Sequence, residues 1–266
     1  MSLAGILETL SVPRNGILYV QSSTDWLHKA GLEPAPVLAT LRDWVGSSGA
    51  LVMPAYPFRT THLEYLEGRP SYDVQRTPAA VGLIPELFRR TAGVVRSLEP
   101  DFCIAAAGHD AAGLVQSDLG DPDPFGRSST YDRLIASGAT LVGLGVSLNT
   151  NSFIHVIDSR MQSRYARTVY PRSFDVEVIG YDGMPRRVTR LALAPEFQQL
   201  TKPSEVATAI SGDDQMFSSR RVNETQFFRW DLQRWSEWCV AHAERALAIG
   251  RWPCWLTHLA QCPPTP

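Results

Sequence analysis

Short hydrophobic runs alternate with polar turns and amphipathic stretches through the first two thirds of the chain. The run 16–21 predicts a buried strand that enters a polar turn, and 50–53 predicts a second strand that stops at Pro54. Between these two strands, 36–45 has the apolar spacing of an amphipathic helix. Strand and helix therefore alternate from the start, which is typical of a layered α/β sheet.

The middle of the chain continues this alternation after one irregular stretch. Residues 55–78 contain several prolines and no clean periodicity, which predicts a long loop. The pattern then predicts a series of short elements: a helix from Thr77 (N-cap) and Pro78 to about Arg90, strands at 94–97 and 103–107, a helix at 129–136, an apolar strand at 139–146 and a helix at 152–164.

The pattern changes after about residue 165. Segments 174–178 and 188–194 alternate around an Asp182-Gly183 turn signal, which predicts an antiparallel hairpin. A final helix is predicted from about Glu224 to 249–250, where Gly250 stops it. We therefore predict an α/β fold: a layered α/β/α single domain over 1–266, with a mixed central sheet and an antiparallel hairpin in the C-terminal third. Its core spans about 15–195, and the helix at about 224–250 packs on it.

Composition narrows the class of protein. The 266 residues are 44% hydrophobic and 20% charged, as in ordinary globular domains. A net charge of -2 gives no electrostatic argument for binding nucleic acid or an anionic membrane surface, and no apolar run is long enough to span a bilayer. The cysteines form neither a CxxC pair nor a cluster with zinc spacing, so we expect no metal and a cytoplasmic location; they are Cys103, Cys239, Cys254 and Cys262.

One segment carries the best candidate chemistry. In 144–158 an apolar strand meets a small-polar turn and a helix start, the place where open α/β sheets bind ligands. With Ser152 as N-cap, His155 falls at about the third helical position, and Asp158 shares its face. A neutral imidazole can accept a proton, so His155 is a candidate general base that Asp158 orients. Spacing alone also allows a histidine that caps backbone, an Asp158 paired with a nearby arginine, or an Asp158 that holds a substrate ammonium.

Two acidic features could attract a basic substrate. Asp118, Asp121 and Asp123 place three carboxylates in one Pro/Gly loop, which would attract a polyamine or amino sugar but is also typical of a solvated turn. Glu224, before the last predicted helix, is either a substrate contact or a residue that complements the helix dipole.

Several motifs stand in a fixed order between about residues 15 and 195. They are Gln21-Ser22-Ser23, Gly49 to Pro54, Tyr72-Asp73 with Arg76 to Gly108, Phe125 to Leu134, Leu144-Gly145-Val146, and Asn151-Ser152-Phe-Ile-His155-Val-Ile-Asp158. In order and spacing they resemble the aminoglycoside 3-N-acetyltransferase family, also called the antibiotic N-acetyltransferase family. The resemblance implies transfer of an acetyl or other short acyl group from coenzyme A to an amine of an aminoglycoside or amino sugar.

The resemblance also implies roles for individual residues. His155 corresponds to the family's base, and Asp158 to its glutamate, one methylene shorter. The turn after the first strand implies that Ser22 and Ser23 contact the coenzyme A arm. Further contacts with coenzyme A are expected from the matched motifs at Arg76, Thr77 and Ser129. Apart from the resemblance, their charge makes the acidic residues the candidates to hold the acceptor amine: Asp118, Asp121, Asp123 and Glu224.

The chain departs from the family pattern at several positions. Gln21 stands where a histidine is usual, Glu99-Pro100 replaces His-Pro, Cys103 replaces a serine and Thr130 a proline. These changes indicate an altered acceptor side. Glu99 becomes a second candidate for the carboxylate that serves His155. A nucleotide-linked amino sugar used in surface-polysaccharide assembly becomes an alternative acceptor.

Three mechanisms follow as hypotheses. The leading one is direct transfer in a ternary complex of enzyme, acyl-CoA and amine, with His155 as base. The second is a ping-pong reaction with Cys103 as nucleophile beside His155 and Asp158. The third is a non-catalytic family member that only binds a ligand. The expected partners are the amine and acyl-CoA alone, and a homodimer is compatible with the sequence.

Overall fold

Seven strands form the central sheet in the computed structural model, which describes residues 1–210 and 212–259. Their spatial order is β4 (Val95–Arg96), β5 (Ile104–Gly108), β2 (Ala50–Pro54), β1 (Ile17–Ser22), β6 (Thr140–Leu144), β10 (Thr225–Asp231) and β9 (Phe217–Val222). β1 runs parallel to β2 and β6, and the outer pairings are antiparallel. The predicted mixed sheet is confirmed.

The predicted hairpin is also confirmed, but it lies in a second sheet. That sheet has the order β3 (Ser71–Asp73), β7 (Arg172–Ile179) and β8 (Pro185–Ala192), with β7 and β8 antiparallel around a turn at 180–184. The antiparallel strands of the central sheet are instead β4, β5, β9 and β10. The mixed character of that sheet was therefore predicted for the wrong reason.

Helices lie on both faces of the central sheet. They are α1 (Leu3–Thr9), α2 (Thr24–Lys29), α3 (Pro34–Val45), α4 (His62–Glu67), α5 (Leu83–Arg89), α6 (Ala111–Leu114), α7 (Thr130–Ala136), α8 (Ile154–Met161), α9 (Pro195–Leu200), α10 (Pro203–Ala209) and α11 (Leu232–Ala248), with 3₁₀ turns at 148–150, 162–164 and 254–256. Across the described residues, none of these helices combines the length and the apolar character needed to cross a bilayer.

Two predictions in the segment 55–90 are wrong. The stretch 55–78 is not one loop, because it contains α4 and β3. The next helix does not start at Thr77: the Thr77 hydroxyl oxygen accepts the backbone N–H of Asp73 at 2.8 Å and closes a turn, so it cannot cap a helix. α5 begins only after Gly82, whose φ of 134° suits glycine.

The last predicted helix starts too early. Residues 225–231 form β10, and Glu224 lies in the turn between β9 and β10, next to Asn223 with φ of 53°. α11 starts at Leu232, where the Asp231 carboxylate accepts the backbone N–H of Arg234 at 3.0 Å. The aromatic residues of 227–230 also satisfy helical spacing, so the sequence pattern predicts one helix across both β10 and α11.

Alternating strand side chains build two cores. Tyr19 of β1 points into a core formed with α7, α8 and α11, whereas Leu18 and Val20 point into a core formed with α1, α3, α5 and the second sheet. This arrangement confirms the predicted layers. Gly143 in β6 lies opposite Phe228 in β10, and a Cβ on Gly143 would stand 2.2 Å from the Phe228 ring.

Candidate active site

A cleft opens at the edge where the three parallel strands end. Its lining includes the last residues of β1 and β2 and the turn that follows β6. The cleft has two lobes: the His155 lobe, of about 320 Å³, and the Ser22 lobe, of about 650 Å³. The lobes share the lining residues Tyr56, Arg59, Val81, Thr150 and Ser152, so a molecule in one lobe lies next to a molecule in the other.

His155 and Asp158 form a hydrogen-bonded pair on the wall of the His155 lobe. His155 Nδ1 lies 3.1 Å from Asp158 Oδ2. His155 is the second residue of α8, not the third, because Phe153 occupies the N-cap position and Ser152 does not cap the helix. The turn into α8 is instead held by Asn151, whose Oδ1 accepts the Phe153 N–H at 3.1 Å. The predicted pairing of the two side chains does not depend on this shift.

The other contacts of Asp158 determine which nitrogen of His155 is free. Asp158 is fully buried, and its Oδ1 lies 3.3 Å from both the Tyr165 hydroxyl and the Trp255 indole nitrogen, which donate to it. An ionised carboxylate only accepts hydrogen bonds, so His155 carries its proton on Nδ1. His155 Nε2 is then left with a lone pair, as a general base requires.

Glu99, the other candidate partner of His155, is bound elsewhere. Its carboxylate accepts the Thr130 hydroxyl at 2.8 Å and the Thr130 backbone N–H at 3.3 Å. Burial raises the pKa of Glu99 to about 7. The geometry therefore favours Asp158 as the carboxylate that serves His155.

The residues expected to contact coenzyme A divide into two groups. Ser22 and Ser23 line the Ser22 lobe, and the buried Ser22 hydroxyl has no hydrogen-bond partner among the described residues. Arg76, Thr77 and Ser129 do not line either lobe. The Arg76 side chain is 89% exposed beside Asp73, and the Ser129 hydroxyl caps α7. The Thr77 and Ser129 hydroxyls are thus used in a turn and in a helix cap, away from the cleft.

The four acidic residues expected to hold the acceptor do not line the cleft either. Asp118 and Asp121 accept backbone N–H groups of their own loop at 2.9 and 3.0 Å. Asp123 accepts the hydroxyls of Ser159 and Tyr170, each at 2.6 Å. Glu224 is exposed in its turn. The acidic loop is therefore a structural element whose carboxylates satisfy neighbouring donors.

Sequence reasoning missed a cluster of tyrosine hydroxyls behind the cleft. The Tyr19 hydroxyl lies 3.2 Å from that of Tyr56 and 3.1 Å from that of Tyr131, and Tyr56 and Tyr131 also contact each other. Tyr56 lines both lobes and donates to the Ser152 hydroxyl at 3.2 Å. These residues are far apart along the chain, so no local pattern could have brought them together.

Phe58 and Phe102, which line the His155 lobe, form its aromatic floor. A second histidine–carboxylate pair lies beneath this floor. In this floor cluster, defined as His62, Asp101 and Arg190, His62 Nε2 lies 3.2 Å from Asp101 Oδ2. Arg190 donates to both Asp101 oxygens at 2.9 and 3.1 Å. Burial alone would raise the pKa of Asp101, but Arg190 and His62 together hold it below its usual value. His62 stacks on Phe58 and contacts Phe102, which both line the lobe.

The side chains suit an organic co-substrate better than a metal ion. Across 1–210 and 212–259, no three His, Cys, Asp or Glu side chains lie together in a way that could hold a metal ion. The Ser22 lobe offers the unpaired Ser22 hydroxyl and an apolar wall that includes Val81 and Pro85, and it shares Arg59 with the His155 lobe. This combination fits an acyl-pantetheine arm, which has amides, a thioester and a methylated carbon chain.

Comparison with known proteins identifies the family. Residues 19–244 match the family described as aminoglycoside 3-N-acetyltransferase. Aminoglycoside N(3)-acetyltransferase VII of Streptomyces paromomycinus is 34% identical over 135 residues, 46% of each chain, so the match spans about half the length of that curated relative.

Solved structures share the fold. The apoenzyme of aminoglycoside acetyltransferase AAC(3)-IVa superposes with a TM-score of 0.70 at 22% identity, over 94% of this chain and 92% of that one. AAC-IIIb in a binary complex with CoASH superposes with a TM-score of 0.68 at 21% identity, over 92% and 95%. With most of its length matched to the family, the chain belongs to the aminoglycoside 3-N-acetyltransferase family.

Proposed function

We propose that the protein transfers an acetyl or other short acyl group from coenzyme A to an amine of an aminoglycoside or amino sugar. One observation carries this proposal: His155, held by Asp158 through Nδ1, lines one lobe of a cleft whose second lobe can hold a thioester. The Ser22 lobe would bind acyl-CoA, and the His155 lobe would bind the amine. Membership of the family supports the same assignment.

The chemistry assigned to His155 is the relay of one proton from the amine to the leaving thiolate. The amine nitrogen attacks the thioester carbonyl, a C–N bond forms, and the C–S bond then breaks. His155 Nε2 takes the proton that the nitrogen loses and returns it to the departing thiolate. The Ser22 hydroxyl, which is buried without a partner among the described residues, would donate to the carbonyl oxygen as negative charge develops there. Because a thioester is already activated, positioning of the two substrates supplies much of the remaining rate enhancement.

The surroundings of Cys103 support direct transfer over a ping-pong reaction. Cys103 is fully buried and lines neither lobe. Its Sγ donates to the Ala55 carbonyl at 2.9 Å and accepts from Arg96 at 3.2 Å. Burial raises the pKa of the Cys103 thiol, which disfavours the nucleophilic thiolate. The sequence-based alternative of a Cys103 acyl-enzyme therefore has no support from the geometry.

We also propose a cytoplasmic location. Cys103, Cys239 and Cys254 are free thiols, as expected in a reducing compartment, whereas Cys262 lies outside the described residues. A supply of acyl-CoA in the same compartment is a requirement of the proposed reaction.

The proposal is tested by release of free thiol from acetyl-CoA in the presence of amines. His155→Ala should lower kcat by about 10²–10⁴-fold, because it removes the base, and should leave the thermal shift caused by coenzyme A unchanged. His28→Ala is the matched control, since His28 is an exposed histidine paired with Glu33. A His155→Ala enzyme with near-normal kcat would exclude the assignment. If coenzyme A binds but no free thiol is released from acetyl-CoA with any amine, the ligand-binding alternative would be favoured instead.

A further inference from the structure

The His155 lobe has no acidic lining. Among the described residues that line it, none is an Asp or Glu, and Arg59 is its only Lys or Arg. Asp25 lines the Ser22 lobe instead. No described carboxylate forms an ion pair with Arg59, whose Nε donates to the Ala80 carbonyl. The guanidinium therefore keeps donors for a ligand.

Carboxylates behind the lobe do not supply the negative charge that its lining lacks. Asp101 is fully buried and already paired with Arg190 and His62, and Glu99 is committed to Thr130. Asp158 is the buried carboxylate that is hydrogen-bonded to the lining side chain of His155. The site therefore supplies negative charge for a single ammonium group, at the point where the proposed reaction needs one.

Two polar groups of the lobe are hydrogen-bond donors that lack partners among the described residues. Asn151 is 1% exposed, and its Oδ1 is occupied by the Phe153 N–H, so its unpaired Nδ2 must find an acceptor. The Thr201 hydroxyl is also buried and unpaired within the described residues. Together with Arg59, these groups suit a ligand that is rich in oxygen atoms.

A polycationic acceptor would be poorly served here. Each additional ammonium group would lose water without gaining a carboxylate, and Arg59 would repel it. The His155 lobe, of about 320 Å³, has room for one sugar ring beside its aromatic residues. Phe58 and Phe102 offer aromatic surface against which the apolar face of one sugar ring can pack.

We infer that the acceptor is a phosphorylated amino sugar with one amine: the amine meets His155, the hydroxyls meet Asn151 and Thr201, and the phosphate pairs with Arg59. This inference rests on the proposed function, because it presupposes acyl transfer in this cleft. A guanidinium recognises phosphate by parallel hydrogen bonds, which neutral sugars cannot provide. Free sugar phosphates and nucleotide-linked sugars share this chemistry, and the experiment separates them.

The experiment compares thiol release with five amines. Glucosamine provides the neutral reference, glucosamine 1-phosphate and UDP-glucosamine carry phosphate, and gentamicin and apramycin are polycations. We expect kcat/KM for at least one phosphate-bearing amine to exceed that for glucosamine by about tenfold to hundredfold, and the polycations to be the poorest. The better of the two phosphate-bearing amines identifies the source of the phosphate.

Variants of arginine test the pairing itself. Arg59→Gln should reduce the ratio of kcat/KM for the phosphorylated acceptor to kcat/KM for the neutral acceptor to about one. The cause should be a higher KM for the phosphorylated acceptor, with the KM for acetyl-CoA unchanged. Arg42→Gln, which changes an exposed arginine on α3, should keep the wild-type ratio.

The outcomes separate the two levels of the proposal. Gentamicin or apramycin as the best acceptor would overturn the inference while leaving acyl transfer in place. An Arg59→Gln effect confined to the KM of acetyl-CoA would also overturn it, because the guanidinium would then serve the donor. Thiol release with none of the five amines would contradict the proposed function on which the inference rests.

Discussion

Two histidine–carboxylate pairs stand on either side of the aromatic floor, and they have almost the same geometry. The nitrogen–oxygen distance is 3.1 Å in His155–Asp158 and 3.2 Å in His62–Asp101. In both pairs the carboxylate is fully buried. Length and burial alone therefore do not distinguish a candidate catalytic pair from a structural one.

The difference lies in the second nitrogen of each ring. His62 Nδ1 accepts the backbone N–H of Leu193 at 3.0 Å, so both of its nitrogens are occupied. The second nitrogen of His155 belongs to a residue that lines the cleft. The carboxylates differ too: Asp101 is neutralised by a guanidinium, whereas among the described residues Asp158 accepts from a hydroxyl and an indole besides its histidine. A histidine of this fold is useful for chemistry only where the protein leaves it incompletely bonded.

The largest expected effect comes from breaking the structural pair. Arg190→Leu leaves Asp101 buried without its cation and should lower the free energy of unfolding by about 3–5 kcal/mol, measured by urea denaturation. Arg187→Leu is the matched control on the same strand, because Arg187 is 81% exposed and should change stability by less than about 0.5 kcal/mol. A tolerated Arg190→Leu would mean that the ion pair of the floor cluster does not stabilise the fold.

A smaller effect should appear at Glu99, next to the floor cluster, as a function of pH. Burial raises its pKa from near 4.5 to about 7, so the folded state holds a proton that the unfolded state releases. Ionising the buried Glu99 destabilises the folded state. This destabilisation is absent below about pH 4.5, grows as the pH rises and is complete above about pH 7. Glu99→Gln should remove it, gaining up to about 3 kcal/mol relative to wild type between pH 4.5 and 8. Parallel stability curves for the two proteins would show that Glu99 does not carry this cost.

The smallest effect sharpens the comparison directly, by making the same change in both pairs. Asp158→Asn should lower kcat by about 10–100-fold, because the amide donates where the carboxylate accepted and so favours the wrong tautomer of His155. Asp101→Asn should lower the melting temperature and leave kcat within about threefold of wild type, since His62 takes no part in the reaction. The reverse pattern, with kcat lost in Asp101→Asn, would exchange the roles of the two pairs. Thiol release and thermal unfolding measured on both variants decide between these outcomes.

Features that are local in sequence were the ones predicted correctly. The first strands, β6 and the β7–β8 hairpin follow from runs and turns within a few residues. The contact between His155 and Asp158 also follows from helical spacing. The family resemblance pointed to Ser22 and Ser23, which line the cleft, and the roles of all four residues stay predictions. β10 was missed because its aromatic residues fit helical spacing as well as a strand, and only pairing with β6 decides between them.

The rest of the site depends on contacts between distant segments. Tyr56 reaches Tyr131 and Ser152 from 75 and 96 residues away, and Asp123 is satisfied by Tyr170 from 47 residues away. The acidic loop looked like a substrate site because a sequence displays charges without displaying the donors that satisfy them. Charge density along the chain is therefore a weak guide to the charge inside a cleft.

The glycine at position 143 has a consequence for how this sequence can change over evolutionary time. The Phe228 ring fills the space where a Cβ on residue 143 would stand. The side-chain volumes allowed at these two positions on neighbouring strands are therefore coupled. Substitution at 143 alone produces a collision, and substitution of Phe228 by a small residue alone opens a hole in the core next to the strand that leads to His155. Drift at either site must pass through a disfavoured intermediate, so the pair resists change although neither residue lines the cleft.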